Sequence, residues 1–209
     1  MNRRAGLFVT LEGGEGAGKT SLAKSLAEVA QARGRTVTIT REPGGTPGAD
    51  AIRSLLVRGD AARWSPLAET LLFAAARTDH LERVIRPALA AGEVVICDRY
   101  VGSTYAYQVG GHGLARADFE AINAAVRPDA PDLTLVLDAP PELGLARSRG
   151  GALGEDRYEG LDLAFHMRVR AAFLELAAAD PERVRVIDAT RAIAAVADEA
   201  AAILAGRLQ

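Results

Sequence analysis

Gly13-Gly14-Glu15-Gly16-Ala17-Gly18-Lys19-Thr20 fits the spacing G-x-x-x-x-G-K-[ST], and the chain on either side suits the same chemistry. In front, Leu7-Phe8-Val9-Thr10-Leu11 reads as a buried strand. Behind, Leu22, Leu26, Val29 and Ala30 recur at helical spacing until Gly34, a helix stop signal. Strand, glycine loop and helix start together make a phosphate cradle. Glycines let backbone N–H groups approach phosphate oxygens, and the unpaired amides and dipole of the helix start favour anions. Lys19 is then expected to reach the β- and γ-phosphates, and the Thr20 hydroxyl to ligate Mg²⁺. The ligand implied by this loop is a nucleoside triphosphate.

Phosphoryl transfer also needs further positive charge, a metal and an aligned acceptor. Asp98 follows the apolar run Val94-Val95-Ile96-Cys97, a position from which a carboxylate reaches Mg²⁺ directly or through water. Arg99 beside it can hold an acceptor phosphate bidentately. The phosphate loop offers a single cation, Lys19, so charge for the transition state must come from elsewhere. The flexible cluster able to supply it is Arg147, Arg149 and Arg157, in a stretch whose glycines at 150, 151 and 154 permit closure over the phosphates. Thr40-Arg41-Glu42-Pro43-Gly44-Gly45-Thr46 is a turn fit to wall an acceptor site. Phe73 and Arg77 stand at i and i+4 on one helix face, which suits core packing with a snorkelling arginine or a base stacked on Phe73 with Arg77 on its carbonyl.

The elements that must position these groups alternate. Strand-like runs at 7–11, 36–40, 94–97, 133–137 and 184–187 are separated by helical stretches such as 66–77, 80–90, 116–126, 161–178 and 193–208. Such alternation predicts a mostly parallel sheet with right-handed crossovers and helices on both faces, with ligands beyond the strands' carboxyl ends, where Asp98, Asp138 and Asp188 fall. At 209 residues, 49% apolar and 25% charged, one α/β domain over 1–209 is expected. A net charge of −2 gives no field to recruit nucleic acid. The apolar runs are too short for a signal peptide or a membrane span. The single cysteine, Cys97, excludes a disulfide framework within the chain, fits a cytoplasmic location and reads as a small core residue. His80, His112 and His166 share no metal-ligand spacing and read as surface or helix-face residues.

Taken together, these residues resemble the thymidylate kinase family, nucleoside monophosphate kinases that convert dTMP to dTDP with ATP. The resemblance runs nearly the whole chain in the family's order. It rests on Glu12 to Thr20, Thr40-Arg41-Glu42-Pro43-Gly44-Gly45, Phe73 with Arg77, Asp98-Arg99-Tyr100 followed by Ser103, Thr104, Ala106, Tyr107 and Gln108, and Asp156-Arg157-Tyr158-Glu159. It departs at Gly14, often bulkier in the family, and at Tyr105. The resemblance implies an α/β P-loop NTPase-type three-layer sandwich with a five-stranded parallel sheet in the order 2-3-1-4-5, a lid at about 147–159, and a homodimer. It implies that residues 13–20 bind ATP, that Arg53 and Arg99 hold the dTMP phosphate, and that Glu15 lies near the sugar and metal. Phe73 would stack on thymine, Arg77 bond its O4, Thr104 and Gln108 line its pocket, and Tyr107 lie against the deoxyribose. The lid arginines resemble those of the bacterial kind whose catalytic arginine is in the lid. Two other readings compete: a P-loop GTPase switch, opposed by the lack of N-K-x-D and D-x-x-G motifs, and another small-molecule kinase, opposed by Phe73/Arg77 and Tyr107-Gln108.

Overall fold

The computed structural model describes residues 5–60, 62–148 and 157–208. Its strands β1 (Leu7–Gly13), β2 (Val37–Arg41), β3 (Val94–Asp98), β4 (Leu133–Asp138) and β5 (Val184–Asp188) form one sheet in the order β2-β3-β1-β4-β5. Every neighbouring pair is parallel. This is the expected architecture and strand order.

Alternation along β1 separates two cores. Leu7, Val9 and Leu11 face helices α1 (Lys19–Gln31) and α9 (Ile193–Arg207), where Leu22, Leu26, Ala30, Ala200 and Leu204 are buried. Phe8 faces the opposite way, against Leu81, Ile85 and Tyr100. Farther along that side, Val136 meets Phe165, Val169 and Phe173 of helix α8 (Leu163–Ala179). Cys97 is a buried core residue whose thiol donates to the Arg99 carbonyl, and burial pushes its pKa well up.

Helices at 47–56, 101–104 and 141–148 lie outside the expected helical stretches, whereas the expected stretch at 80–90 is helical. Helix α2 (Pro47–Leu56) starts with Thr46, whose hydroxyl accepts from the Ala49 N–H at 3.0 Å, and with Pro47 in the first turn. After α3 (Pro66–His80) the chain winds through a π-turn at Leu81–Ile85 into α4 (Arg86–Ala90). Residues Val101–Thr104 form a short helix, α5, that continues as a π-helix over Tyr105–Gly111. Its β-branched and glycine residues are weak helix formers, so tertiary packing makes it helical. Helix α6 (Arg116–Val126) matches its expected bounds. Helix α7 (Pro141–Ser148) carries Arg147 and Ser148, so the expected lid does not begin as loop: its first two residues finish a helical turn. Arg149, the glycines at 150, 151 and 154, and Asp156 lie outside the described residues.

Candidate active site

The donor half is built largely from backbone. Gly18 adopts φ 95° and caps α1, leaving the helix's first amides facing the loop. Gly16 comes so close to α7 that a Cβ on it would stand 2.0 Å from the Gly144 carbonyl oxygen. A Cβ on Gly144 would meet the Glu15 carbonyl oxygen at 2.2 Å, so neither position tolerates a side chain. Lys19 is buried, and its Nζ donates to the carbonyls of Gly13 (3.2 Å) and Gly14 (2.8 Å). Burial, and then the Arg99 charge, lower the Lys19 pKa to about 8 against the pull of Asp98, Glu15 and Glu12. The Thr20 hydroxyl donates to Asp98 Oδ2 at 2.7 Å, which brings the two expected metal ligands together at the end of β3. An open cleft of about 350 Å³ is lined by Lys19, Thr20, Asp98, Arg99, Arg41 and Arg53 among others.

Arg99 joins this half to the next. It sits at φ 69°, in the left-handed region, while its N–H extends the ladder to the Leu11 carbonyl at 2.9 Å. Nη1 donates to the Gly13 carbonyl at 3.0 Å and to Ser103 Oγ at 3.3 Å, and Nη2 pairs with Glu15 at 2.9 Å. Glu12 fixes the turn from behind. It accepts from the Ser103 hydroxyl at 2.5 Å and the Tyr100 N–H at 3.1 Å, and burial raises its pKa against that hydroxyl and the Arg99 charge. For Glu15 burial also acts upward, but Arg99, Lys19 and the Tyr107 hydroxyl (2.7 Å) outweigh it and hold the carboxyl at about 2.

The acceptor half is a pocket lined by Glu15, Arg53, Phe73, Arg77, Arg99, Thr104, Tyr107 and Gln108, with Glu42, Pro43 and Tyr158 in its wall. All eight residues expected at an acceptor site therefore converge. Arg77 is buried; its Nε donates to Glu42 Oε2 at 2.7 Å and its Nη2 to Thr104 Oγ1 at 2.9 Å. The other Glu42 oxygen accepts from His80 Nδ1 at 3.1 Å. A carboxylate cannot donate, so Nδ1 carries a proton toward Glu42, and Nε2 shares a hydrogen bond with the Thr40 hydroxyl at 2.6 Å. His80 is fully buried and His166 nearly so, which corrects their reading as surface residues: both sit on helix faces, but inward ones. Gly45 roofs His80, where a Cβ would stand 2.7 Å from the ring.

The arginines expected in the lid separate. Arg147 Nη1 donates to the Ala189 carbonyl at 3.0 Å, beside a groove lined by Gly18, Ser21, Arg191 and Val196. Arg157 is not a solvated lid cation. It is buried, donating to the carbonyls of Leu56 and Asp60 at 3.0 Å each and pairing with Glu69. The physical reason is charge: Glu69 is almost wholly buried, and an unpaired carboxylate there would be costly. Glu69 and His80 had no functional reading in the sequence, and Glu12 and Ser103 stood there only as members of matched motifs, without a role of their own. Glu69 was findable, since it shares one α3 face with Phe73 and Arg77 at four-residue steps.

The matching family model is described as "Thymidylate kinase" and covers residues 11–200. A thymidylate kinase of Cereibacter sphaeroides is 53% identical over 205 residues, spanning 96% of this chain and 94% of that protein. One of Caulobacter vibrioides is 50% identical over 206 residues, spanning 97% and 98%. The crystal structure of thymidylate kinase from Ehrlichia chaffeensis superposes with a TM-score of 0.75 at 32% identity, over 96% of this chain and 98% of that one.

Proposed function

Because the chain belongs to the thymidylate kinase family and so phosphorylates dTMP to dTDP using ATP, a step of dTTP synthesis, we propose how its own residues divide that task. The γ-phosphoryl group passes directly and in line to a dTMP phosphate oxygen. That acceptor is already anionic at neutral pH, so positioning and electrostatics, not a strong base, do the catalysis. The observation that carries this reading is the placement of Arg99 and Glu15, which line both the cleft at the phosphate loop and the pocket beyond it.

On the donor side, the loop amides of residues 13–20 and Lys19 hold the triphosphate. A hydroxyl and a carboxylate 2.7 Å apart beside a phosphate cradle suit Mg²⁺, an ion that keeps waters and substrate oxygens as most of its ligands. Thr20 and Asp98 would hold it, and when bound it neutralises charge developing on the phosphates. The groove by Arg147 and Arg191 receives the adenine. On the acceptor side, Arg99 and Arg53 take the dTMP phosphate, Phe73 stacks on thymine, Arg77 donates to O4, Gln108 and Thr104 close the base pocket, and Tyr107 lies under the sugar. Arg149 and Arg147 are left as the lid's catalytic cations, with Arg157 anchoring its root.

The unit of function is the 1–209 domain, acting in the cytoplasm as a homodimer. Leu67 and Leu71, about half exposed on α3, and Leu55 on α2 give such a dimer an apolar face. Among the described residues no helix is long and apolar enough to cross a membrane. A panel of nucleoside monophosphates assayed with ATP and Mg²⁺ for ADP release tests the whole reading. dTMP should be preferred over dUMP by about 1–3 kcal/mol, the worth of one methyl-sized contact. Purine monophosphates should be inert; equal turnover of dGMP would overturn it.

A further inference from the structure

We infer that Glu69 is a positioning residue that sets base specificity by fixing the amide orientation of Gln108. The inference rests on the acceptor pocket proposed above. Glu69 lies in the first turn of α3 with 1% of its surface exposed. Among the described residues its carboxylate accepts from the Arg157 guanidinium, the Tyr158 hydroxyl at 2.8 Å and Gln108 Nε2 at 3.0 Å, with His112 Nε2 3.6 Å away. An ionised carboxylate accepts and cannot donate, so the amide of Gln108 must turn its NH₂ toward Glu69. The reversed amide would set oxygen against oxygen in a buried site.

That constraint has a consequence on the opposite side of the amide. Gln108 is fully buried and lines the pocket, yet its Oε1 has no hydrogen-bond partner. A buried acceptor without a donor is costly, and a ligand that supplies the donor recovers that cost. Arg77 stands across the pocket with Nε and Nη2 engaged, so it presents only N–H groups to a base. Between them these two side chains offer a base a donor, from Arg77, and an acceptor, from Gln108. A pyrimidine with a 4-keto oxygen and an N3–H matches this pair. Cytosine, with a 4-amino group and a bare N3, mismatches both.

Because Arg157 and Tyr158 reach the same carboxylate, the root of the lid and the base-reading amide share one anchor. Glu69→Gln removes the constraint, since a neutral amide both donates and accepts and lets Gln108 turn either way. With the full-length enzyme, KM for dTMP should rise about tenfold with kcat nearly retained, and the dTMP-to-dCMP ratio of kcat/KM should fall by about tenfold or more. Gln108→Leu separates this inference from the pocket it rests on. If Gln108→Leu leaves both KM and the ratio unchanged, the base does not lie against Gln108 and the pocket reading itself fails. If Gln108→Leu erodes the ratio while folded Glu69→Gln keeps it, the pocket stands and Glu69 has no orienting role. Should Glu69→Gln not fold, the unaltered enzyme still decides. 5-Methyl-dCMP, which differs from dTMP only in its 4-amino group and bare N3, should bind about tenfold more weakly than dTMP, and equal binding would overturn the orientation.

Discussion

The two halves of the cleft are preorganised by different means. The phosphate loop owes its shape to backbone: a left-handed Gly18, the contact of Gly16 with Gly144, and the first amides of α1. The acceptor pocket owes its shape to buried charged side chains, each recognition group held by a carboxylate behind it: Arg77 by Glu42, Gln108 by Glu69, and Arg99 by Glu15, with Glu12 bracing its turn. A triphosphate presents many equivalent oxygens, and a ring of amides suits it. A base presents a particular order of donors and acceptors, and reading it demands side chains that cannot rotate. Catalysis and stability are therefore separable on the donor side and entangled on the acceptor side.

The largest expected effect probes the separable side. Lys19→Ala should lower kcat by about a hundred- to a thousandfold, the loss typical of one preorganised charge-stabilising donor. Thermal stability should hold or rise slightly, because a buried ammonium with a depressed pKa is a cost to the folded protein. Near-normal turnover would remove Lys19 from its assigned role. Glu42→Ala, on the entangled side, should do the reverse. It strands the buried Arg77 guanidinium and the His80 proton together, so unfolding free energy should drop by about 3–5 kcal/mol. Chemical denaturation measures that, and a loss below about 1 kcal/mol would show that the acceptor half is not held by its carboxylates.

The same division explains what the sequence could be made to say. Gly13 to Thr20, Asp98 and Arg99 were readable because backbone-built sites leave a fixed spacing, and strand-end acids are placed by a period of two. Phe73 and Arg77 were readable as a pair on one face, but not as a choice between packing and recognition. Glu69 could be placed on the face of Phe73 and Arg77, but its burial, like that of His80, was opaque. An acid near a helix start reads as a dipole partner, and a histidine near a helix end reads the same way. Their burial depends on what packs over them from α2, the π-helix and residues 157–158, and no local pattern encodes that. Helix α5 with its π continuation was missed for a related reason, since its residues become helical only against α8 and the sheet. Arg157 misled in the opposite direction: arginine among glycines suggests solvent, and the buried partner that claims it lies 88 positions earlier.

A smaller effect sharpens the acceptor side. Arg77→Ala should weaken dTMP by about 1–3 kcal/mol, because the thymine carbonyl loses its donor and Glu42 its partner. The KM for ATP should stay within about twofold, since Arg77 lines the acceptor pocket and not the phosphate cleft. Parallel changes in both KM values would erase the distinction between the halves.

The smallest effect is a fraction of a proton. The Lys19 pKa of about 8 lies below its ordinary value of 10.5, so between those limits the unfolded chain holds more protons than the folded one. The contribution of Lys19 to stability therefore rises with pH across that window and is flat below it. A bound triphosphate brings negative charge to the ammonium and must raise its pKa. At pH 8 the free protein carries Lys19 about half protonated, so binding an unhydrolysable ATP analogue should take up about half a proton. Calorimetry in two buffers of different ionisation enthalpy measures that uptake, which should vanish at pH 6 and in Lys19→Met. The carboxylate-held arginines opposite stay charged throughout this range, so dTMP binding should show no matching uptake. Equal uptake by both ligands, or by neither, would mean that the buried lysine is not what distinguishes the phosphate loop electrostatically from the pocket it serves.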